Sequence, residues 1–324
     1  MTVSQLTDAT AALSLKKQAT KKLYIQIRDL LKAPNSDELL LDLAVLISER
    51  NVVFLRNQDI TFEEQKEFAD RLGRVTGKPA TSGLHVHPST AQSSELGDEA
   101  LTISSEYNKK VGSVYASASE FQSQAWHSDI TFEPIPSDYA ILRLREVPPE
   151  GGDTLWASAY EIYDRLSPAF QKFLEGLTAT HTGLNFKASK KPDLPRFFQA
   201  QEVHLKTLSV FAGAGFTTRI NELSKDESDL VLKHIINLTV QNHDLHVRYR
   251  WGKHDVAVWD NRVSFHSATT DFDGDLYLRH GERATSLGER PYFDPNSSSR
   301  REALGIAPPP ARRAHLASLA DKSA

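Results

Sequence analysis

The chain reads as an α+β protein: a mainly antiparallel β core of jelly-roll type, with helices packed around it. Two observations carry that reading. Short apolar runs of strand length fall at residues 52–55, 140–144 and 154–157, and again at 246–250, 255–259 and 283–287. Longer segments with apolar residues at helical spacing lie between them. An antiparallel core decorated by helices accommodates both patterns, and no internal repeat argues for an array.

Taken in order, residues 1–20 are small, polar and poor in aromatics, and are expected to form a loose arm. From Ser36 to Glu49 apolar residues recur as Leu39, Leu40, Leu43, Leu46 and Ile47, one face of a helix. Val52-Val53-Phe54-Leu55 follows as a buried strand. Thr61-Phe62-Glu63-Glu64 has the form of a capping box, with a helix expected to end near Gly73. Residues 77–123 are rich in Gly, Ser, His and Lys and only weakly periodic, which predicts an irregular loop over a site mouth. Pro148-Pro149-Glu150-Gly151-Gly152 is a turn between strands. Ser158 to Gly176 is helical, punctuated by Ser167-Pro168, and a further helix is predicted over 225–238. The expected organisation is the arm (1–20), a single domain (21–300) and a peripheral Pro-, Ala- and Arg-rich tail (301–324).

Composition narrows the chemistry. The 324 residues carry 38 Lys and Arg against 42 Asp and Glu, a net charge of −4, so no nucleic-acid partner is expected. There is no cysteine, which removes disulfides, thiolate metal sites and cysteine nucleophiles together. A metal site here must use His, Asp, Glu and water, and that favours iron, manganese or zinc. No apolar stretch approaches the roughly 20 residues that span a bilayer, and no secretory leader is legible. The expectation is a cytoplasmic protein with no membrane partner; a homo-oligomer is left open.

Trp126-His127-Ser128-Asp129 is the most informative motif. His-X-Asp lets one imidazole and one carboxylate reach a single cation. His266, far downstream, can supply a second imidazole. Two nitrogens and one carboxylate on one face of a metal are the facial triad of non-haem Fe(II) oxygenases, which leaves coordination positions open. Arg279 and Arg283 follow His266, and a planar guanidinium grips a carboxylate bidentately. Thr154, just after the Gly151-Gly152 turn, offers a hydroxyl that can share such a carboxylate.

The motifs WHSDITF, GGDTLWAS, WDNRVSFH and RHGERAT, in this order and spacing, resemble the taurine/alkylsulfonate dioxygenase (TauD/TfdA) family of Fe(II)/2-oxoglutarate-dependent oxygenases. The resemblance runs from about Leu43 to Phe293. It implies a double-stranded β-helix, the cupin-like jelly roll, with surrounding helices. It implies that His127, Asp129 and His266 bind Fe(II), and that Thr154 and Arg279 hold the distal carboxylate of 2-oxoglutarate. Arg283 and His87 would face an anionic group of the primary substrate, and O2 would be the second co-substrate. The expected reaction oxidises a C–H bond of a small anionic substrate bearing a sulfonate or carboxylate, releasing succinate and CO2.

Two substrate-side positions depart from the taurine enzymes. Thr90 stands where they carry a tyrosine, and Ser123 stands where they carry an asparagine. The interval from His266 to Arg279 is also longer, with Asp273-Gly274-Asp275 as an extra loop. These departures leave a rival within the class, the same cofactor chemistry on an amino acid or natural-product intermediate. A zinc-dependent hydrolase could use the same His, Asp and His but needs neither Arg279 nor Thr154. A binding protein that had lost catalysis would lack a ligand, and all three candidates are present.

Overall fold

The computed structural model describes residues 25–87, 96–106, 125–183, 201–204, 212–213, 215–292, 296 and 298–306. Ser123, Thr90 and the expected arm (1–20) lie outside the described residues. Among the described residues, mixed helices and antiparallel sheets agree with the α+β expectation.

The larger sheet has five strands. They are β1 (Val52–Leu55), β2 (Leu101–Ser104), β3 (Ser137–Glu146), β9 (Val256–Asp260) and β11 (His280–Leu287), in the order β1-β9-β3-β11-β2. A three-stranded sheet is formed by β4 (Thr154–Ser158), β8 (His246–Tyr249) and β10 (Ser264–Ala268), in the order β10-β4-β8. A second three-stranded sheet joins β5 (Thr178–His181), β6 (Gln201–His204) and β7 (Thr217–Ile220), with β5 central.

Strand β3 sits in the middle of the larger sheet and is covered on both faces. Its side chains alternate across the sheet. Tyr139 and Ile141 join Val256, Val258 and Ala284 under the N-terminal helices. Ala140, Leu142 and Leu144 face the other way, into a cluster with Trp156, Tyr249, Trp251, Ala257 and Trp259. That cluster holds the β10-β4-β8 sheet against the larger one. Truncating a fully buried Trp such as Trp156 or Trp259 to alanine would cost about 3–5 kcal/mol.

The helices follow their caps. Thr61 accepts from the Glu64 backbone N–H at 3.1 Å while the Glu64 carboxylate accepts from the Thr61 N–H at 2.7 Å, completing the predicted capping box. The helix, Phe62–Val75, ends two residues beyond Gly73, near the expected end. A Cβ on Gly73 would lie 2.7 Å from Asp138 Oδ2 and from Ser286 Oγ, so glycine serves close approach to the sheet. Ser167 caps Pro168–Leu174 through the Phe170 N–H, which breaks the expected 158–176 segment into Ala159–Asp164 and Pro168–Leu174. The helix predicted over 225–238 runs Lys225–Gln241 and opens on a Ser224/Glu227 capping box.

The segment 77–123 is not wholly irregular. Leu101–Ser104 pairs with β11 as an edge strand, Arg283 standing opposite Leu101. Four residues are too few to show a period against the polar sequence around them. At the other end, Arg300–Ala303 is a helical turn crossing the expected boundary at 300, and Arg301 reaches Glu161 Oε2 at 2.8 Å. No helix among the described residues is long and apolar enough to cross a membrane.

Candidate active site

Strand register brings the predicted residues together. His127 forms an isolated antiparallel bridge with His266: the His127 N–H donates to the His266 carbonyl at 3.1 Å, and the His266 N–H returns the bond at 2.8 Å. On the neighbouring strand, His266 stands opposite Trp156 and Ala268 opposite Thr154. Opposed residues, and residues two apart, share a face of a sheet, so Thr154 lies on the face that carries His266. Arg279, the residue just before β11, and Arg283, within β11 in the other sheet, meet this face across the interior.

At the first locus the three predicted metal ligands converge. One ligand atom each from His127, Asp129 and His266 lies within 4.8 Å of the other two, and all three residues are buried. His127 Nε2 is 3.6 Å from Asp129 Oδ1, and His266 Nε2 is 3.7 Å from Asp129 Oδ2. His127 Nδ1 sits 2.8 Å from the Ala125 carbonyl. A carbonyl only accepts, so Nδ1 carries the proton and the Nε2 lone pair faces Asp129.

Electrostatics favour a cation. Burial raises the tendency of Asp129 to hold a proton, but the charge of Arg283 and then the two histidines outweigh it, so the carboxyl stays far below its ordinary range. His266 is pushed down to about 3, first by burial and then by the charges of His127 and Arg283, against the pull of Asp129. An ionised carboxylate beside the neutral His266 imidazole, with His127 Nε2 turned to the same point, is a donor set suited to a hard to borderline divalent cation. Asp129 Oδ2 is buried and has no hydrogen-bond partner among the described residues, which a metal ligand would explain.

Asn261 holds the metal-facing loop and was not singled out as a site residue from the sequence. Its Oδ1 accepts from the Asp129 N–H at 2.9 Å, and its Nδ2 donates to the Asp129 carbonyl at 2.9 Å. Trp259 Nε1 adds a third contact to Asn261 Oδ1 at 3.3 Å. The signal was present as the Asp-Asn turn of WDNRVSFH, but only the fold shows that the asparagine clamps the other half of the site.

At the second locus Arg279 is buried and its Nε donates to the Gly152 carbonyl at 2.8 Å. Its Nη2 donates to Thr154 Oγ1 at 3.2 Å. Among the described residues no carboxylate pairs with this guanidinium, and burial pushes its pKa down to about 10. Asp153 acts on it only through its charge, and a buried cation with no carboxylate bonded to it fits a carboxylate ligand. The turn is shaped for this arrangement: Gly151 and Gly152 have φ of +70° and +66°, and a Cβ on Gly152 would meet Arg279 Cδ at 3.1 Å.

His87 is buried in a segment running beside β11, where Leu84 bridges Ser286 and the His85 N–H donates to the Thr285 carbonyl at 2.9 Å. That register carries His87 toward Arg283. Burial, then the charges of Arg283 and His85, holds the His87 imidazole well below its ordinary pKa. Arg283 donates to Asp129 Oδ1 at 2.7 Å. Of the predicted site residues, only Ser123 falls outside the described part of the chain.

The family profile "Taurine catabolism dioxygenase TauD, TfdA family" matches residues 14–285. The chain belongs to this family. Among curated TauD/TfdA-type relatives, the α-ketoglutarate-dependent dioxygenase btcD of Neocamarosporium betae is 43% identical over 302 residues, covering 84% of this chain and 88% of its own. The α-ketoglutarate-dependent sulfonate dioxygenase of Saccharomyces cerevisiae is 30% identical over 288 residues, covering 86% and 68%. A taurine dioxygenase crystal structure from Burkholderia xenovorans shares the fold, with a TM-score of 0.63 at 24% identity over 81% of this chain and 85% of that one. As a TauD/TfdA member the protein is an Fe(II)- and 2-oxoglutarate-dependent dioxygenase, α-ketoglutarate being the same co-substrate, and it uses O2.

Proposed function

We propose that this dioxygenase oxidises a C–H bond of a small anionic substrate carrying a sulfonate or carboxylate. In this reading His127, Asp129 and His266 hold the iron, Arg279 and Thr154 hold the distal carboxylate of 2-oxoglutarate, and Arg283 and His87 receive the anionic group of the primary substrate. Ser123, outside the described residues, is the remaining substrate-side candidate of this reading. The observation that carries the reading is the buried Arg279 guanidinium on Thr154, without a carboxylate partner among the described residues, on the face that also bears His266. A zinc hydrolase has no use for that second locus. The two facing sheets support a double-stranded β-helix, in one domain over 21–300.

When bound, Fe(II) with 2-oxoglutarate supplies oxidative decarboxylation of the co-substrate, which yields succinate and CO2, and oxidation of the substrate C–H bond. The chain's own residues do the remaining work. Arg279 and Thr154 fix one end of the co-substrate, so that its keto acid end is presented to the metal ligands. Asn261 and the Ala125 carbonyl hold Asp129 and His127 in place. Trp156 and Trp259 wall the interior side and exclude water, the Trp259 ring tilted at 55° with its centroid 5.0 Å from that of His266. In this reading Arg283, which donates to Asp129 Oδ1 at 2.7 Å, also receives the acidic group of the substrate from the His87 side.

The departures at Thr90 and Ser123 favour a substrate other than taurine. An amino acid or natural-product intermediate is the second reading, and it rests on those same two departures. A panel of sulfonates, sulfate esters, amino acids and aryloxy acids, with uncharged methyl esters or amides of the same compounds, scored by succinate release, tests both. Substrate-dependent succinate with an acidic member is expected, and Arg283→Leu should raise its KM. Turnover restricted to uncharged compounds would overturn the assignment of an anionic substrate.

A further inference from the structure

Thr154 is more constrained than a strand hydroxyl needs to be. Its Oγ1 accepts from Arg279 Nη2 at 3.2 Å and from the indole Nε1 of Trp251 at 3.0 Å. All three residues are buried. A hydroxyl has two acceptor lone pairs and one proton. Both neighbours are donors only, since neither a guanidinium nor an indole N–H can accept. With both lone pairs taken, the Thr154 proton must point elsewhere, and no acceptor for it is found among the described residues.

Trp251 is itself held from behind. It follows β8 and enters a turn organised by Asp255, which is buried. Asp255 Oδ2 accepts from the Gly252 N–H at 2.7 Å, the Tyr249 hydroxyl at 2.8 Å and Arg56 Nη1 at 2.6 Å. Asp255 Oδ1 accepts from the Asn57 N–H at 2.9 Å. The Trp251 ring lies edge-on to Tyr249 at 5.1 Å and 6.3 Å from Trp156. The indole is therefore locked by packing, and its N–H has one direction open.

We propose that Trp251 is a positioning residue for the co-substrate: by occupying a lone pair of Thr154, it makes that hydroxyl an obligate donor, aimed with Arg279 at a carboxylate. The proposal rests on reading Arg279 and Thr154 as the 2-oxoglutarate clamp. It adds a residue that touches no reactant and acts only through the polarity of another. An obligate donor beside a guanidinium selects for an ionised acid group. Without the indole N–H, the hydroxyl can turn and accept, and it then offers no fixed proton to the ligand.

The test is a double-mutant cycle on the Mn(II)-loaded protein without oxygen, with 2-oxoglutarate affinity measured by calorimetry. Trp251→Phe keeps an aromatic ring in the cluster and removes the donor. It should weaken 2-oxoglutarate about threefold to tenfold, the scale of one net hydrogen bond. In a Thr154→Val background the same change should have no further effect. In turnover of the iron enzyme, Trp251→Phe should raise the KM for 2-oxoglutarate and leave kcat at saturation nearly unchanged. Trp251→His, which retains a ring N–H, should recover part of the affinity. Additive effects of Trp251→Phe and Thr154→Val, or an unchanged affinity in Trp251→Phe, overturn the positioning role. Arg279→Met is the separate control: if it leaves 2-oxoglutarate affinity intact, the clamp itself is misassigned. Should Trp251→Phe lower the melting temperature sharply, the Trp251→His variant with and without Thr154→Val completes the cycle.

Discussion

Arg283 donates to Asp129 Oδ1 at 2.7 Å, so the guanidinium expected to meet substrate also touches the carboxylate expected to meet the metal. Both side chains are buried, at 7% and 2% exposure. The pair spans the two halves of the site, β11 on one side and the WHSD segment on the other. It places a fixed positive charge beside the one acidic member of the His-Asp-His cluster and leaves Asp129 Oδ2 without a hydrogen-bond partner among the described residues.

Removing one member of a buried ion pair strands the other charge, at a cost of about 3–5 kcal/mol. Arg283→Leu should therefore destabilise the metal-free protein by that amount in urea titrations. Saturating Mn(II) should restore much of the loss, because a cation held by Asp129 replaces the guanidinium and binds only the folded state. A metal-free variant as stable as the parent would show that Asp129 needs no counter-charge.

Asn261 supports Asp129, the carboxylate expected to meet the metal, without belonging to the His-Asp-His cluster. Its paired bonds to the Asp129 backbone orient the carboxylate, and partners of this kind carry about 10–100-fold in metal affinity when lost. Asn261→Ala should weaken Mn(II) binding by that factor in equilibrium dialysis. The His127 to His266 bridge should persist, visible as protected amides in hydrogen exchange. Undiminished affinity would assign Asn261 to packing alone.

Asp255 predicts a pH dependence. Burial alone would raise its pKa, but the Asn57 N–H, the Tyr249 hydroxyl, the Gly252 N–H and Arg56 together hold it below its ordinary 3.8. A carboxyl depressed in the folded state binds fewer protons there than when unfolded. Its stabilisation is therefore complete above the unfolded value and is lost as pH falls through the folded one. Asp255→Asn should cost about 2–4 kcal/mol near neutrality. The gap from the parent should narrow below about pH 4. A gap that stays constant across the acid range would contradict the charged network.

Much of the site was legible because its signals are local or carried by residue type. His127 and Asp129 are two apart, and the capping box of Thr61 and Glu64 spans one turn, so both can be read from spacing alone. The edge strand Leu101–Ser104 was hidden for the opposite reason. Its stability comes from pairing with β11, whose sequence lies far away, and four residues carry too little pattern of their own. The split of Ser158–Gly176 was foreshadowed by Ser167-Pro168, since a cap and a helix-starting proline together end one helix and begin another.

By itself, the sequence determined the donor chemistry of the metal site: without cysteine, a His-X-Asp motif and a distant histidine leave only nitrogen and oxygen ligands. It also determined that two arginines and a threonine would be at hand. Which arginine meets which partner was decided only by the tertiary structure. Arg279 reaches Thr154 and Arg283 reaches Asp129 because two sheets face each other, with Arg279 just before β11 and Arg283 within it. The pairing of Trp251 with Thr154 belongs to the same level. Hydrogen bonds between residues about a hundred positions apart arise from the packing of strands, and no local pattern encodes them.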